Sequence, residues 1–97
     1  MIIATVTGNL GDDAKVREHE GRKFLSFSVA SNTRDKEGST HTDWVRCTYN
    51  GPEKLAEHLQ KGRMVSVVGE IRTSIYNNAV QYDMRCMNVE LVGGKKE

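Results

Sequence analysis

Between Thr42 and Asn50 the side chains sort into two sets, and no other feature of the chain restricts its fold more. Val45, Cys47 and Tyr49 fall on one side of an extended backbone, and Trp44, Arg46, Thr48 and Asn50 on the other. The same two-residue period runs through 22–31, where Leu25, Phe27 and Val29 alternate with Phe24, Ser26 and Ser28. It returns in 64–76, with Val65, Val67, Gly69 and Ile71 opposite Glu70, Arg72, Ser74 and Tyr76. A chain patterned in this way buries one face of each strand and leaves the other to water.

The segments around these strands complete an order. Residues 2–7 are β-branched and read as a first strand, broken at Gly8-Asn9-Leu10-Gly11, with a short limb from Lys15 to Glu18 after it. Residues 32–42 hold a polar run, Arg34 to Ser39, that reads as a mobile hairpin loop. Gly51-Pro52 opens the one helical segment, because proline at the first helical position loses no needed donor. Leu55 and Leu59 share a face there, and Lys61-Gly62 closes it. At roughly ten residues this helix is too short to stand alone and has to pack on the sheet or plug its end. Asn77-Asn78 is a hairpin turn, since asparagine tolerates positive φ. In 80–92, Tyr82, Met84 and Cys86 hold one phase and Met87, Val89 and Leu91 the next, which predicts a bulge at Cys86-Met87.

Three strands, a helix and two strands predict an all-β chain: a five-stranded OB-fold Greek-key barrel, with its helix between strands three and four. That architecture binds oligonucleotides across one face. Small barrels of the SH3 type lack a helix at this place. The domain is expected to span 1–92, with Gly93-Gly94-Lys95-Lys96-Glu97 as a short flexible end.

Size and charge limit the function. Ninety-seven residues make one small domain and exclude a two-domain enzyme. Lys and Arg number 14 against 13 Asp and Glu, a net charge of +1, so binding to a polyanion requires the cations to be gathered on one face. No run approaches the ~20 apolar residues of a membrane span, and Met1-Ile2-Ile3 is too short for a signal peptide. A soluble cytosolic chain without membrane contact is expected. Cys47 and Cys86 lack C-x-x-C spacing and read as free thiols buried as small hydrophobes, in preference to one disulfide.

Catalytic patterns are not found. His19, His41 and His58 are scattered, without partners at metal-ligand spacing. Gly8-Asn9-Leu10-Gly11 lacks the G-K-[ST] ending of a phosphate loop, and Asp12-Asp13 reads as a solvated turn in preference to a magnesium site. The expectation is no enzyme, no cofactor and no metal. The polar strand faces say more. In phase with Trp44 lie Arg46, Thr48, Arg72, Ser74 and Tyr76, and the outward side of the second strand adds Arg22 and Phe24. Rings alternating with guanidinium groups suit single-stranded nucleic acid, with bases stacking on the rings and phosphates meeting arginine. Glu70 is the only acid in phase within those segments. Blander roles stand beside these: Trp44 in a core or interface, Arg46 and Arg72 as plain surface residues or partners of Glu70, Tyr76 as a cover for the hairpin. Arg34 and Lys36, interleaved with Asp35 and Glu37, are either a solvated run or a clamp beside the binding face.

Several segments in order resemble the bacterial single-stranded DNA-binding proteins. Thr7-Gly8-Asn9-Leu10-Gly11-Asp12-Asp13 with Val16-Arg17 resembles their opening G-N-L-G-x-D-P-x-x-R, and Thr42-Asp43-Trp44-Val45-Arg46-Cys47 their T-[DE]-[WF] strand. Leu55-Ala56-Glu57, Leu59, Lys61-Gly62 and Val65, followed by Val68-Gly69-Glu70-Ile71-Arg72-Thr73, resemble the family's L-A-E to R-T run, and Tyr82 falls where its last strand often has tyrosine. The resemblance implies an OB-fold assembled into homo-oligomers, a tetramer or a dimer. It implies a bacterial, nucleoid-associated protein that coats single-stranded DNA in replication, recombination and repair without catalysis. Trp44 and Tyr76 match base-stacking positions of the family. Asn50, Thr33 and Ala14 depart from it, the first two where the family often has aromatics. The residues after Leu91 hold no Gly/Gln/Pro-rich linker and no acidic tip, so recruitment of other DNA-processing proteins is not expected. Two other readings remain: a primosomal-type accessory OB protein acting mainly through protein contacts, and an RNA-binding OB domain.

Overall fold

The computed structural model describes residues 1–92, so the expected flexible end at 93–97 lies outside the described residues. The strands are β1 (Ile3–Leu10), β2 (Lys15–His19), β3 (Arg22–Arg34), β4 (Thr40–Tyr49), β5 (Met64–Tyr76) and β6 (Ala79–Leu91). One 3-10 helix, Glu53–His58, stands between β4 and β5. They form a six-stranded sheet in the order β1-β5-β6-β4-β3-β2, closed on itself where β1 also pairs with β3. β4 and β6 run parallel, and the other pairs are antiparallel. This is the expected Greek-key barrel with its first strand split. β1 pairs with β5 and β2 with β3, so the two together fill the place of one strand.

The alternating residues point where their phase places them. Leu25, Phe27 and Val29 of β3, Val45 and Cys47 of β4, Val65 and Val67 of β5, and Met84 and Cys86 of β6 are all buried. The bulge in β6 is present. Val68 pairs with Asn88 but Gly69 with Cys86, which leaves Met87 as the extra residue and turns it to solvent. Cys47 and Cys86 are free and buried. The neighbouring Cys86 thiol, with burial behind it, pushes Cys47 up and keeps it in the unreactive protonated form, its Sγ donating to the Val45 carbonyl at 3.7 Å.

Three local expectations are corrected. Gly8 does not break the first strand, which runs on to Leu10. A Cβ at Gly8 would lie 2.1 Å from the Ala30 carbonyl oxygen, so this glycine serves the close approach that closes the barrel. Residues 32–42 are not a loop: β3 and β4 pair out to Arg34 and Thr40, leaving only 35–39 as the turn. Asp35 organises that turn, its Oδ1 accepting from the Glu37 and Ser39 amides, both at 2.9 Å. The helix, expected to run roughly ten residues from Pro52, is six residues of 3-10 type, with Pro52 outside it in an extended conformation.

The reason lies in Leu59. The Leu59 amide donates to the Ala56 carbonyl at 3.1 Å, ending the helix and dropping the leucine into the core, where it is 0% exposed. The segment that follows is laced to the junction of β1 and β2. The Ala14 amide donates to Leu59 O (2.8 Å), the Gly62 amide to Leu10 O (2.8 Å), the Leu10 amide to Arg63 O (2.9 Å) and the Lys61 amide to Asp13 Oδ1 (2.8 Å). Asp13 is thus a structural acceptor, and the plug and the split strand hold one another.

Candidate nucleic-acid interface

Residues opposite one another on paired strands share a face, so the register alone assembles the outward surface. One row runs Lys15, Ser26, Thr48, Arg85 and Glu70 across β2, β3, β4, β6 and β5. The next runs Ser28, Arg46, Asp83 and Arg72. Trp44 sits beyond Arg46, opposite Ala30 on β3. On the other side of the first row, Phe24 pairs with Arg17, and Arg22 with His19. Tyr76 ends β5, opposite Ala79, at a two-residue turn whose Asn77 and Asn78 both have positive φ.

Six of the eight sequence candidates, Trp44, Tyr76, Arg46, Arg72, Phe24 and Arg22, are therefore on one continuous face. Arg34 keeps the phase of Ala30 and extends the face along the β3–β4 arm, whereas Lys36 lies in the turn, to which the ladder gives no side. Trp44 is 52% exposed and Tyr76 63%, large values for rings of this size. Phe24 is half-buried.

Three of the outward arginines, Arg46, Arg72 and Arg85, are held in ion pairs. Arg46 donates from Nε and Nη2 to Oδ1 of Asp83, each at 2.9 Å. Glu70 receives Arg85 Nη2 at 3.3 Å and Arg72 Nη2 at 3.5 Å, and its side chain is only 16% exposed. Ion pairs with exposed arginines contribute about 0–1 kcal/mol each, so these guanidinium groups exchange partners at small cost. Lys15, Arg17, Arg22, Arg46, Arg72 and Arg85 face outward together against Glu70 and Asp83. The chain's near-neutral balance thus conceals a cationic face. Glu70 is not its only acid: Asp83 joins it from β6.

Lys15, Arg17, Asp83 and Arg85 were not among the sequence candidates. Their signal was the phase itself. Asp83 and Arg85 are out of step with Tyr82, Met84 and Cys86, and Lys15 and Arg17 are two apart on the short limb. Among the described residues, no three His, Cys, Asp or Glu side chains gather as a metal site, and no helix is long and apolar enough to cross a membrane.

Residues 1–93 match the single-strand binding protein family. The chain belongs to that family. A curated single-stranded DNA-binding protein of Xanthomonas campestris is 29% identical over 95% of this chain and 60% of its own length. One from Staphylococcus epidermidis is 29% identical over 78% of this chain and 61% of its own. A mitochondrial single-stranded DNA-binding protein of Drosophila melanogaster is 31% identical over 69% of this chain and 51% of its own. The chain thus spans about three fifths of the length of the bacterial relatives it matches. In structure it is similar to the small single-stranded DNA-binding protein of Streptomyces coelicolor, with a TM-score of 0.74, 20% identity and 93% of each chain covered. The barrel is an OB-fold of this family.

Proposed function

We propose that residues 1–92 form one unit that binds single-stranded DNA with little sequence preference, and that the chain acts without catalysis. The observation that carries this reading is the pair of exposed rings, Trp44 and Tyr76, on the same strand face as the outward arginines. Bases stack on the rings whatever their identity, and phosphates take the guanidinium groups from Asp83 and Glu70. Arg34 and Lys36 flank the face from the β3–β4 arm. The family and its relatives' names support the binding of single-stranded DNA, and we extend that reading to a bacterial, cytoplasmic, nucleoid-associated protein serving replication, recombination and repair. The accessory and RNA-binding readings gain no specific observation.

We further propose a homo-oligomer, a tetramer or a dimer. β1 pairs with β5 over residues 3–9 and with β3 only at Asn9 and Leu10, so its other edge is open beside exposed Met1, Ile2 and Ile3. An unpaired strand edge of this kind is a template for a second chain. Light scattering measures the assembly.

Trp44 is the only tryptophan, so its emission reports the test directly. Oligo-dT is expected to quench it, and duplex DNA of equal length is not. Unchanged emission with oligo-dT at low salt rejects the stacking role, and tighter binding of oligo-U shifts the assignment to RNA. The affinity is expected to fall with salt at a slope no steeper than about −6 per protomer, the value for about eight cationic contacts, Arg34 and Lys36 included, at about 0.7 each.

Asp83→Asn is expected to tighten oligo-dT binding by roughly 3- to 10-fold at low salt, because a phosphate no longer competes with a carboxylate for Arg46. The gain is expected to shrink as salt rises. Titrations of labelled oligo-dT at two ionic strengths check both.

A further inference from the structure

Gly11 follows β1 and is not among the glycines with positive φ, which in the described residues are Gly21, Gly38 and Gly62. Its backbone therefore accepts any side chain. What excludes one is Trp44. A Cβ at Gly11 would lie 2.4 Å from Cζ3 and 2.7 Å from Cη2 of the indole. The benzene half of the ring is thus seated against the Gly11 Cα. To reach it, the side chain crosses Ala30, the small residue opposite Trp44 on β3 and opposite Asn9 on β1.

This seat is held from both sides. The Gly11 amide donates to Ser28 O at 3.1 Å, and Leu10 is tied to the 62–63 backbone in both directions. Asn9 adds Nδ2 to Gly62 O at 3.0 Å. The ring consequently has a fixed floor below it while half of the residue stays open to solvent.

We propose that Gly11 is a positioning residue for base stacking: its missing side chain lets the Trp44 indole lie down across β3 and holds it ready for a base. This rests on the stacking reading above. A ring fixed before binding loses less freedom when a base settles on it, whereas a ring propped up by a methyl group has to be immobilised at that moment.

The experiment is a double-mutant cycle read by the anisotropy of labelled oligo-dT, with Trp44 emission anisotropy measured in the free protein. Gly11→Ala is expected to weaken binding roughly 3- to 10-fold, the size of immobilising one side chain, and to increase fast motion of the indole. In a Trp44→Phe background, whose shorter ring stops before Gly11, the same change is expected to cost nothing. Equal losses in both backgrounds overturn the proposal, because they mark a general structural role. Unchanged affinity of Gly11→Ala, with Trp44→Ala weakened, overturns it and leaves the stacking reading intact. Unchanged affinity of Trp44→Ala removes the stacking reading and the positioning role together. Gly11→Ala that fails to fold also overturns it, since an exposed ring has room to yield.

Discussion

Trp44→Ala is expected to lose about 1–3 kcal/mol of affinity for oligo-dT, roughly 5- to 150-fold, while thermal stability changes little. The two halves of that expectation come from the same geometry. The ring is 52% exposed, so removing it opens no cavity in the core, whose nearest members on β4 are Val45 and Cys47 on the opposite face. What disappears is a flat apolar surface at the end of the row of arginines. Anisotropy of labelled oligo-dT measures the loss, because the substitution removes the intrinsic fluorophore. A folded variant with unchanged affinity would return Trp44 to the role of a surface cover over Gly11. The loss is expected to persist at high salt, where contacts with phosphate fade, since stacking involves no counterion release.

Leu59→Ala acts at the opposite end of the scale, on the fold. Leu59 is fully buried at the end of a six-residue helix that contributes no other buried residue. Truncating a buried leucine costs about 2–5 kcal/mol, depending on how far the site collapses. Collapse is hindered here, because the Leu59 carbonyl is tied to Ala14 and the neighbouring Lys61 amide to Asp13. A domain of this length has about 5–15 kcal/mol in total, so the midpoint of thermal unfolding is expected to fall by about 10–30 °C. Scanning calorimetry at a fixed protomer concentration measures it, since an oligomer's midpoint depends on concentration. A shift of a degree or two would mean that the plug is dispensable. Oligo-dT affinity well below the midpoint is expected to be unchanged, which separates this variant from Trp44→Ala.

Where a strand has one face in the core, its phase was readable. Val45 and Cys47 fixed the inward side of β4, and Trp44 and Arg46 were outward by the same count. The bulge at Met87 was readable for the same reason, because a slipped phase leaves a trace when both halves are half-buried. The β3–β4 arm was not. Beyond Ser31 both faces meet water, so no alternation is imposed, and a paired hairpin has the composition of a loop. β2 is exposed at every position, so the short limb read from Lys15 to Glu18 had no buried side against which Lys15 and Arg17 would stand out as facing the binding surface. Gly8 misled for a different reason: glycine punctuates turns locally, but here it answers to Ala30, which is distant in sequence. The helix took the 3-10 form because of where Leu59 had to go, which no helix propensity records.

The β5–β6 hairpin that carries Tyr76 ends in the shortest of turns, and Ile75, Tyr76 and Val80 near its tip are all exposed. None of these residues answers to the core. The hairpin can therefore change length without any cost in packing, provided the change comes in even steps. Two residues added to each strand move the terminal ring outward by about 7 Å and return it to the same side, whereas a single residue turns it away. The reach of the stacking surface is in this sense a graduated quantity, set by an arm that evolution or engineering can extend while the barrel behind it stays the same.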